Sequence, residues 1–227
     1  MSIFLNMSYK NFSYVYANLP SDEWEVYTTE LKNLYKIYGE LKDSTTLFVS
    51  KDLLKKAALE EFKEVCPVLY SRIKQWNIHT LLYTLAFVVV PPNYESDVHI
   101  DTYGIKLNDE DFSIALNFPV INGKNSYTVF YEIEDKTIKN DATHYIKDYS
   151  SLNNNNNRPE EVIFYNMETA KEIERVEAVR PYWVNTSIPH RPVNNNHEYR
   201  VACSIRFNWA LVKMLETNNF SKMYVKD

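Results

Sequence analysis

The chain has 227 residues, 45% of them hydrophobic and 15% aromatic, enough to bury a sizeable core in one domain. Tyrosine is abundant at 18 and glycine scarce at 3, a balance that leans towards strands and leaves little glycine for a phosphate-binding loop. A formal charge of -5 with no long basic run argues against nucleic acid as the main partner, because duplex binding rests on neutralising phosphates.

Cys66 and Cys203 follow no metal or redox spacing and read as small buried hydrophobes. The start, Met1-Ser2-Ile3-Phe4-Leu5-Asn6, is too short and polar for a secretory signal, and no apolar run reaches membrane-spanning length. The expected setting is therefore cytoplasmic, without a membrane.

The N-terminal third reads as mainly helical. Pro20 is followed by Ser21-Asp22-Glu23, a cap and negative charge at a helix start. Apolar residues then recur near a 3.6 period at Trp24, Tyr27, Leu31, Leu34, Tyr35 and Tyr38, with Gly39 helping to end the helix. Residues 45–49 suit a short strand. Ser50 is placed to cap a second helix with Leu54, Ala58, Phe62, Val65, Cys66 and Leu69 on one face, which Pro67 should kink or restart.

From Leu81 the pattern changes to strands, expected at 81–90, 113–121, 127–133, 162–165, 180–186 and 198–209. Turn chemistry separates them, as at Pro91-Pro92-Asn93, Asn122-Gly123 and Asn194-Asn195-Asn196. Short strands after helices indicate an α+β, mainly β class, with a sandwich or jelly roll rather than alternating βαβ units. The expected organisation is a single domain over 1-227, a helical N-terminal part (1-80) and a jelly-roll core (81-210). The run Asn153 to Asn157 reads as a surface loop.

The chemistry concentrates in a few residues. In a strand, residues i and i+2 face the same way, so His99 and Asp101 present an imidazole and a carboxylate together. His190, at a strand end followed by a loop, is the candidate third ligand. Two imidazoles and a carboxylate are the protein half of a non-haem iron(II) site with open positions. His-x-Asp alone is a weak signal. The C-terminal strand strengthens it, because its polar and apolar residues alternate: Arg200, Ala202, Ser204 and Arg206 share one face, and Val201, Cys203, Ile205 and Phe207 the other. Packing of the apolar face would turn two arginines and a serine into a cavity suited to an anion. The plain alternative is an edge strand with its polar face in water.

The order His99-x-Asp101, distant His190, Arg200 ten residues later and the closing Ser204-Ile205-Arg206-Phe207 strand resembles the Fe(II)/2-oxoglutarate-dependent oxygenases. Asn117-Phe118-Pro119-Val120 and Pro181-Tyr182-Trp183-Val184-Asn185-Thr186 add likeness to the small phage-type and aspartyl-hydroxylase-like members. The resemblance covers 81–208. It implies a double-stranded β-helix, a cupin-like jelly roll with the N-terminal helices packed on the barrel. It implies Fe(II) on His99, Asp101 and His190, and 2-oxoglutarate paired through its distal carboxylate with Arg200. Ser204 and Arg206 are further expected co-substrate contacts, and Arg206 equally suits a substrate carboxylate; Asn117, polar within an apolar strand, reads either as a co-substrate contact or as a support for one. With Fe(II), Asp101, 2-oxoglutarate and Arg200 together, the loaded site is formally neutral, which avoids an unbalanced buried charge.

The activity implied is decarboxylation of 2-oxoglutarate to succinate coupled, through dioxygen, to oxidation of a small-molecule or peptide substrate. Family halogenases carry a small residue where Asp101 stands, so Asp101 favours hydroxylation. Two other classes fit the same ligands: a cupin-like binding or structural jelly roll without turnover, and a cupin-type metal enzyme that does not need Arg200. Among lesser candidates, Asp97 could orient His99, Tyr103, Thr128 and Tyr131 could line the cavity, His79, His144 and His197 read as structural or surface residues, and Trp183 and Trp209 as core. No Gly-x-Ser-x-Gly elbow is present.

Overall fold

The computed structural model describes residues 12–38, 46–48, 59–102, 114–134, 161–165, 167–207 and 222–225. Gly39, Ser50, Leu54, Ala58, Tyr103, His144, Trp209 and the asparagine run lie outside these residues.

Among the described residues three helices precede most of the strands. Helix α1 (Trp24–Tyr38) buries Tyr27, Leu31 and Leu34, one stripe at helical spacing. Its start differs from expectation. Ser21–Glu23 is a 3-10 turn with no side-chain cap, and Glu23 instead accepts hydrogen bonds from Tyr27 and Arg72. Helix α2 (Leu59–Val65) ends at Cys66, and α3 (Pro67–Gln75) restarts at Pro67, where a missing N–H costs nothing. The first-turn N–H groups of Val68 and Leu69, which have no partner within the helix, donate to the buried Glu30 carboxylate of α1 at 2.9 and 3.0 Å, which fastens α3 to α1. None of the described helices is long and apolar enough to cross a membrane.

The strands are β1 (Tyr14–Ala17), β2 (Thr46–Phe48), β3 (Leu82–Val90), β4 (Tyr94–Glu95), β5 (His99–Thr102), β6 (Ile114–Ile121), β7 (Ser126–Ile133), β8 (Glu161–Phe164), β9 (Ala170–Glu177), β10 (Tyr182–Asn185), β11 (His190–Asn194), β12 (Arg200–Phe207) and β13 (Tyr224–Val225). They form two antiparallel sheets among the described residues. The larger runs β13-β1-β10-β6-β12-β3-β2, and the smaller runs β8-β5-β11-β7-β9 with β4 beside β11. From β5 to β7, and again from β10 to β12, successive strands alternate between the sheets. That winding is a double-stranded β-helix, a mainly β jelly roll with helices against its larger sheet. Strands β1, β2 and β13 extend the larger sheet with residues from outside 81–210.

The main core lies between the helices and the outer face of the larger sheet. Phe62, Leu69 and Ile73 pack there with Phe87, Leu116, Phe118 and Trp183. A second cluster, Phe130, Val176, Tyr182 and Val184, with Tyr14 and Tyr16 against it, fills part of the space between the sheets. Cys66 and Cys203 are buried free thiols in the main core, and burial pushes the Cys66 thiol up to about 12.

Strand β12 is central, between β6 and β3, and buried along its whole length. Val201, Cys203, Ile205 and Phe207 join the main core, which turns Arg200, Ala202, Ser204 and Arg206 towards the smaller sheet. The polar face therefore lines the barrel and is not the wet side of an edge strand.

The sheet-to-sheet corner at 122–125 is tight. Asn122 and Asn125 have φ of 51° and 57°, a region that asparagine tolerates. Gly123 lies so close to the next corner that a Cβ there would be 2.0 Å from the Ala178 carbonyl oxygen and 2.8 Å from Pro119 Cβ. Gly123→Ala should therefore cost about 3 kcal/mol, read as a lowered urea midpoint with an unchanged slope. An unchanged midpoint would show that the two corners separate freely.

Candidate metal centre

His99 opens β5 and His190 opens β11, and the two are direct cross-strand partners in the smaller sheet. Asp101, two residues on from His99, shares its face of β5. One ligand atom from each of the three residues falls within a group spanning at most 4.8 Å. His99 Nε2 is 3.7 Å from Asp101 Oδ1, and His190 Nε2 is 4.0 Å from Asp101 Oδ2. Ligands at right angles around a metal, with bonds of about 2.1 Å, would stand about 3 Å apart, so binding requires the three side chains to draw in slightly.

The imidazoles are oriented for the task. His99 Nδ1 lies 2.8 Å from the Asp97 carbonyl, and His190 Nδ1 lies 2.8 Å from the Ile188 carbonyl. A carbonyl only accepts, so each Nδ1 donates a hydrogen bond to it and each Nε2 is turned to the shared space beside Asp101. The sequence left Asp97 between an orienting acceptor and a plain loop carboxylate; the contact with His99 runs through its backbone oxygen, which any residue there would supply.

The electrostatics agree. Burial, then the neighbouring His99, pushes His190 down to about 4, so it is neutral near pH 7. Burial works to raise the Asp101 carboxyl, but Arg206, then His190 and His99, outweigh it and hold the group below the usual carboxylate range. A neutral imidazole beside a carboxylate is the protonation state a divalent cation needs.

The polar face of β12 supplies the remaining groups. Arg206 Nη2 donates to Asp101 Oδ2 at 3.0 Å across the gap between sheets, and its Nε lies 3.5 Å from Ser204 Oγ. Arg200 is 2% exposed, with Nη1 donating to the Tyr127 carbonyl at 3.0 Å and Nη2 lying 3.5 Å from the Tyr182 hydroxyl. It forms no ion pair with an acidic group among the described residues, and its buried Nε has no hydrogen-bond partner there. Asn117 lies across the ladder from both Ser204 and Tyr182, and its buried Oδ1 likewise lacks a partner. Orphaned buried polar atoms are rare, and these two lie on one wall of the barrel among the described residues.

Some candidates lie elsewhere. Thr128 faces inward and bonds the Tyr182 hydroxyl at 2.8 Å, but Tyr131 belongs to a cluster on the other face of β7 and meets Arg191 there. His79 packs edge-on to Tyr70, His197 is exposed, and Trp183 is fully buried. Two neighbours escaped the sequence reading: Tyr182, beside Arg200, and Phe130, whose ring centre lies 6.2 Å from that of His190. The alternation of β7 and β10 contains both, but nothing in one strand says which face meets the site.

No family model matches the sequence, and a search of curated proteins finds no relative. Solved structures do match. The non-heme alpha ketoglutarate dependent carbocyclase SnoK from nogalamycin biosynthesis aligns with a TM-score of 0.52 at 13% identity, over 91% of this chain and 83% of that one. The chain shares the double-stranded β-helix fold of that structure. The epimerase SnoN, solved with Fe3+, alpha ketoglutarate and nogalamycin RO, aligns at 0.49 and 12% identity over 90% of this chain and 82% of that one. A prolyl-4-hydroxylase of Pseudomonas putida aligns at 0.40 and 14% identity over 86% and 91%. In this barrel the triad lies between the two sheets, and its donor set, two imidazoles and one carboxylate, fits a divalent metal.

His190 gives the metal-free protein a characteristic pH dependence. Its folded pKa lies below the unfolded one, so the unfolded chain binds more protons between about pH 6.5 and 4. Stability should fall by about 3 kcal/mol as pH drops through that window. His190→Phe should flatten the decline in denaturant titrations at pH 7 and 4.5, whereas an equal decline in both proteins would place the proton elsewhere.

Proposed function

We propose that the protein is a non-haem Fe(II)/2-oxoglutarate-dependent oxygenase, and a hydroxylase, acting on a small-molecule or peptide substrate. The observation that carries this is a pairing. The convergent triad and a buried arginine that has no acidic partner among the described residues both face the space between the two sheets. A metal site alone would suit any cupin-like protein. A metal site with a buried cation a short way along the barrel suits a chelating dicarboxylate.

In this reading His99, Asp101 and His190 hold the metal by three corners and leave the others open. Arg200 takes the distal carboxylate of 2-oxoglutarate with Nε and whichever amino groups it releases from Tyr127 and Tyr182, a charge-assisted bond in a dry setting. Thr128, which holds the Tyr182 hydroxyl, lies two residues along β7 from Phe130, the partner of His190. That is a spacing of about 7 Å in a strand, and a five-carbon dicarboxylate can bridge it. Ala202 leaves room between Arg200 and Ser204. A half-turn of the Asn117 amide offers Nδ2 as a further donor, since such amides can be assigned either way. Phe130 and Tyr14, stacked with ring centres 6.1 Å apart, form an apolar wall near His190 that keeps water from the reacting positions. Bound Fe(II) would supply the activation of dioxygen and the coupled decarboxylation to succinate.

Anaerobic addition of Fe(II) and 2-oxoglutarate should give a visible charge-transfer band, and air should then give succinate. His99→Ala or Asp101→Ala should abolish both, and Arg200→Ala should weaken 2-oxoglutarate binding about 100-fold while metal binding persists. Succinate formation unchanged by the triad variants would rule out the oxygenase reading. Metal binding without succinate would identify a binding jelly roll, and turnover indifferent to Arg200→Ala a cupin-type metal enzyme.

A further inference from the structure

We propose that Arg206 is a positioning residue that fixes the coordination mode of Asp101, holding one carboxylate oxygen so that a single oxygen is left for a divalent metal. This rests on the triad being a metal site, as proposed above. The two Asp101 oxygens are nearly equivalent towards the histidines: Oδ1 stands 3.7 Å from His99 Nε2 and Oδ2 stands 4.0 Å from His190 Nε2. By itself this geometry would let a metal between the imidazoles take both oxygens. Arg206 breaks the symmetry, because its Nη2 donates to Oδ2 at 3.0 Å.

The arrangement is built to stay in place. Arg206 sits on the central strand of the larger sheet, opposite Ala115 on β6 and Thr84 on β3, and Asp101 sits on the smaller sheet. The side chains are 7% and 8% exposed, so water does not compete for the bond. A guanidinium keeps its proton at any ordinary pH, so Oδ2 remains engaged whatever the solution conditions. The consequence is a count. With Asp101 bound through one oxygen, a six-coordinate metal keeps three positions outside the protein, two for a chelating keto-acid and one for dioxygen. Two-oxygen binding would leave two, and a chelate would then fill the site.

The test counts waters on bound Mn(II), which takes the same oxygen and imidazole ligands, by pulsed electron paramagnetic resonance in labelled water. Wild-type protein should show three coordinated waters, Arg206→Met two, and Arg206→Lys, which keeps the charge and a donor, three again. Three waters in Arg206→Met would overturn the proposal. So would two in the wild type, which means a two-oxygen Asp101 with Arg206 in place, whether or not the variants fold. Equal Mn(II) affinity in wild type and His99→Ala would overturn the metal reading, and this proposal with it, and thus differs from a failure of Arg206 alone.

Discussion

The candidate centre depends on one register, His190 opposite His99. These residues are far apart in sequence and meet because β11 runs antiparallel between β5 and β7 in the smaller sheet. A slip of one residue would turn His190 to the outer face and replace it with Arg191 or Pro189. The slip is resisted on both sides. His190 also opposes Phe130, and five consecutive pairs from His190 to Asn194 tie β11 to β7. Asn194 then locks the far end, its buried amide donating to the carbonyls of Val90, Pro91 and Glu198 and accepting from Ser126. A polar network at one end of a short strand thus places an imidazole at the other.

The barrel interior divides into charged and apolar parts for a physical reason. Asp101, Arg200 and Arg206 are ionisable groups buried in a small protein, and such groups are tolerated when each has a partner or a ligand. Asp101 and Arg206 answer one another across the sheets. Arg200 has a carbonyl and a hydroxyl, which solvate a guanidinium without neutralising it. The aromatic cluster of Tyr14, Phe130 and Tyr182 meets Arg200 through the Tyr182 hydroxyl and His190 through the Phe130 ring, and lowers the local dielectric, so that each charge matters more. Among the described residues the site holds a compensated pair near the histidines and an uncompensated cation farther along the barrel, an asymmetry that matches a metal at one end of a bound dianion.

Much of this was legible in the sequence, and the parts that were not share a cause. The long strands β3, β6, β7 and β12 announce themselves by apolar content, and the inverted alternation of 200–207 correctly marked a polar inner face. Helix α1 and the restart at Pro67 follow from periodicity and from the one helix position that suits proline. Strand β9 escaped because Ala170-Lys171-Glu172-Ile173-Glu174-Arg175 reads as a charged surface segment; it is an exposed sheet edge, where charge discourages unwanted pairing. Strand β1 is four residues ahead of a helical region, and only its partners β10 and β13 make it a strand. Within the site, His99, Asp101, His190 and Arg200 were singled out by residue type, spacing and the family resemblance, and the first three do converge. The Asp101–Arg206 contact and the place of Tyr182 depend on which strands face each other across the barrel, which no local pattern encodes.

The central claim is that His99, Asp101 and His190 hold one metal ion beside the Arg200 wall. Crystals soaked anaerobically with Fe(II) and 2-oxoglutarate, measured at the iron absorption edge, test it directly. The account predicts one strong anomalous peak bonded to both Nε2 atoms and to Asp101, with ligand density running from it to Arg200. A peak at other residues, or density for 2-oxoglutarate away from Arg200, would contradict it.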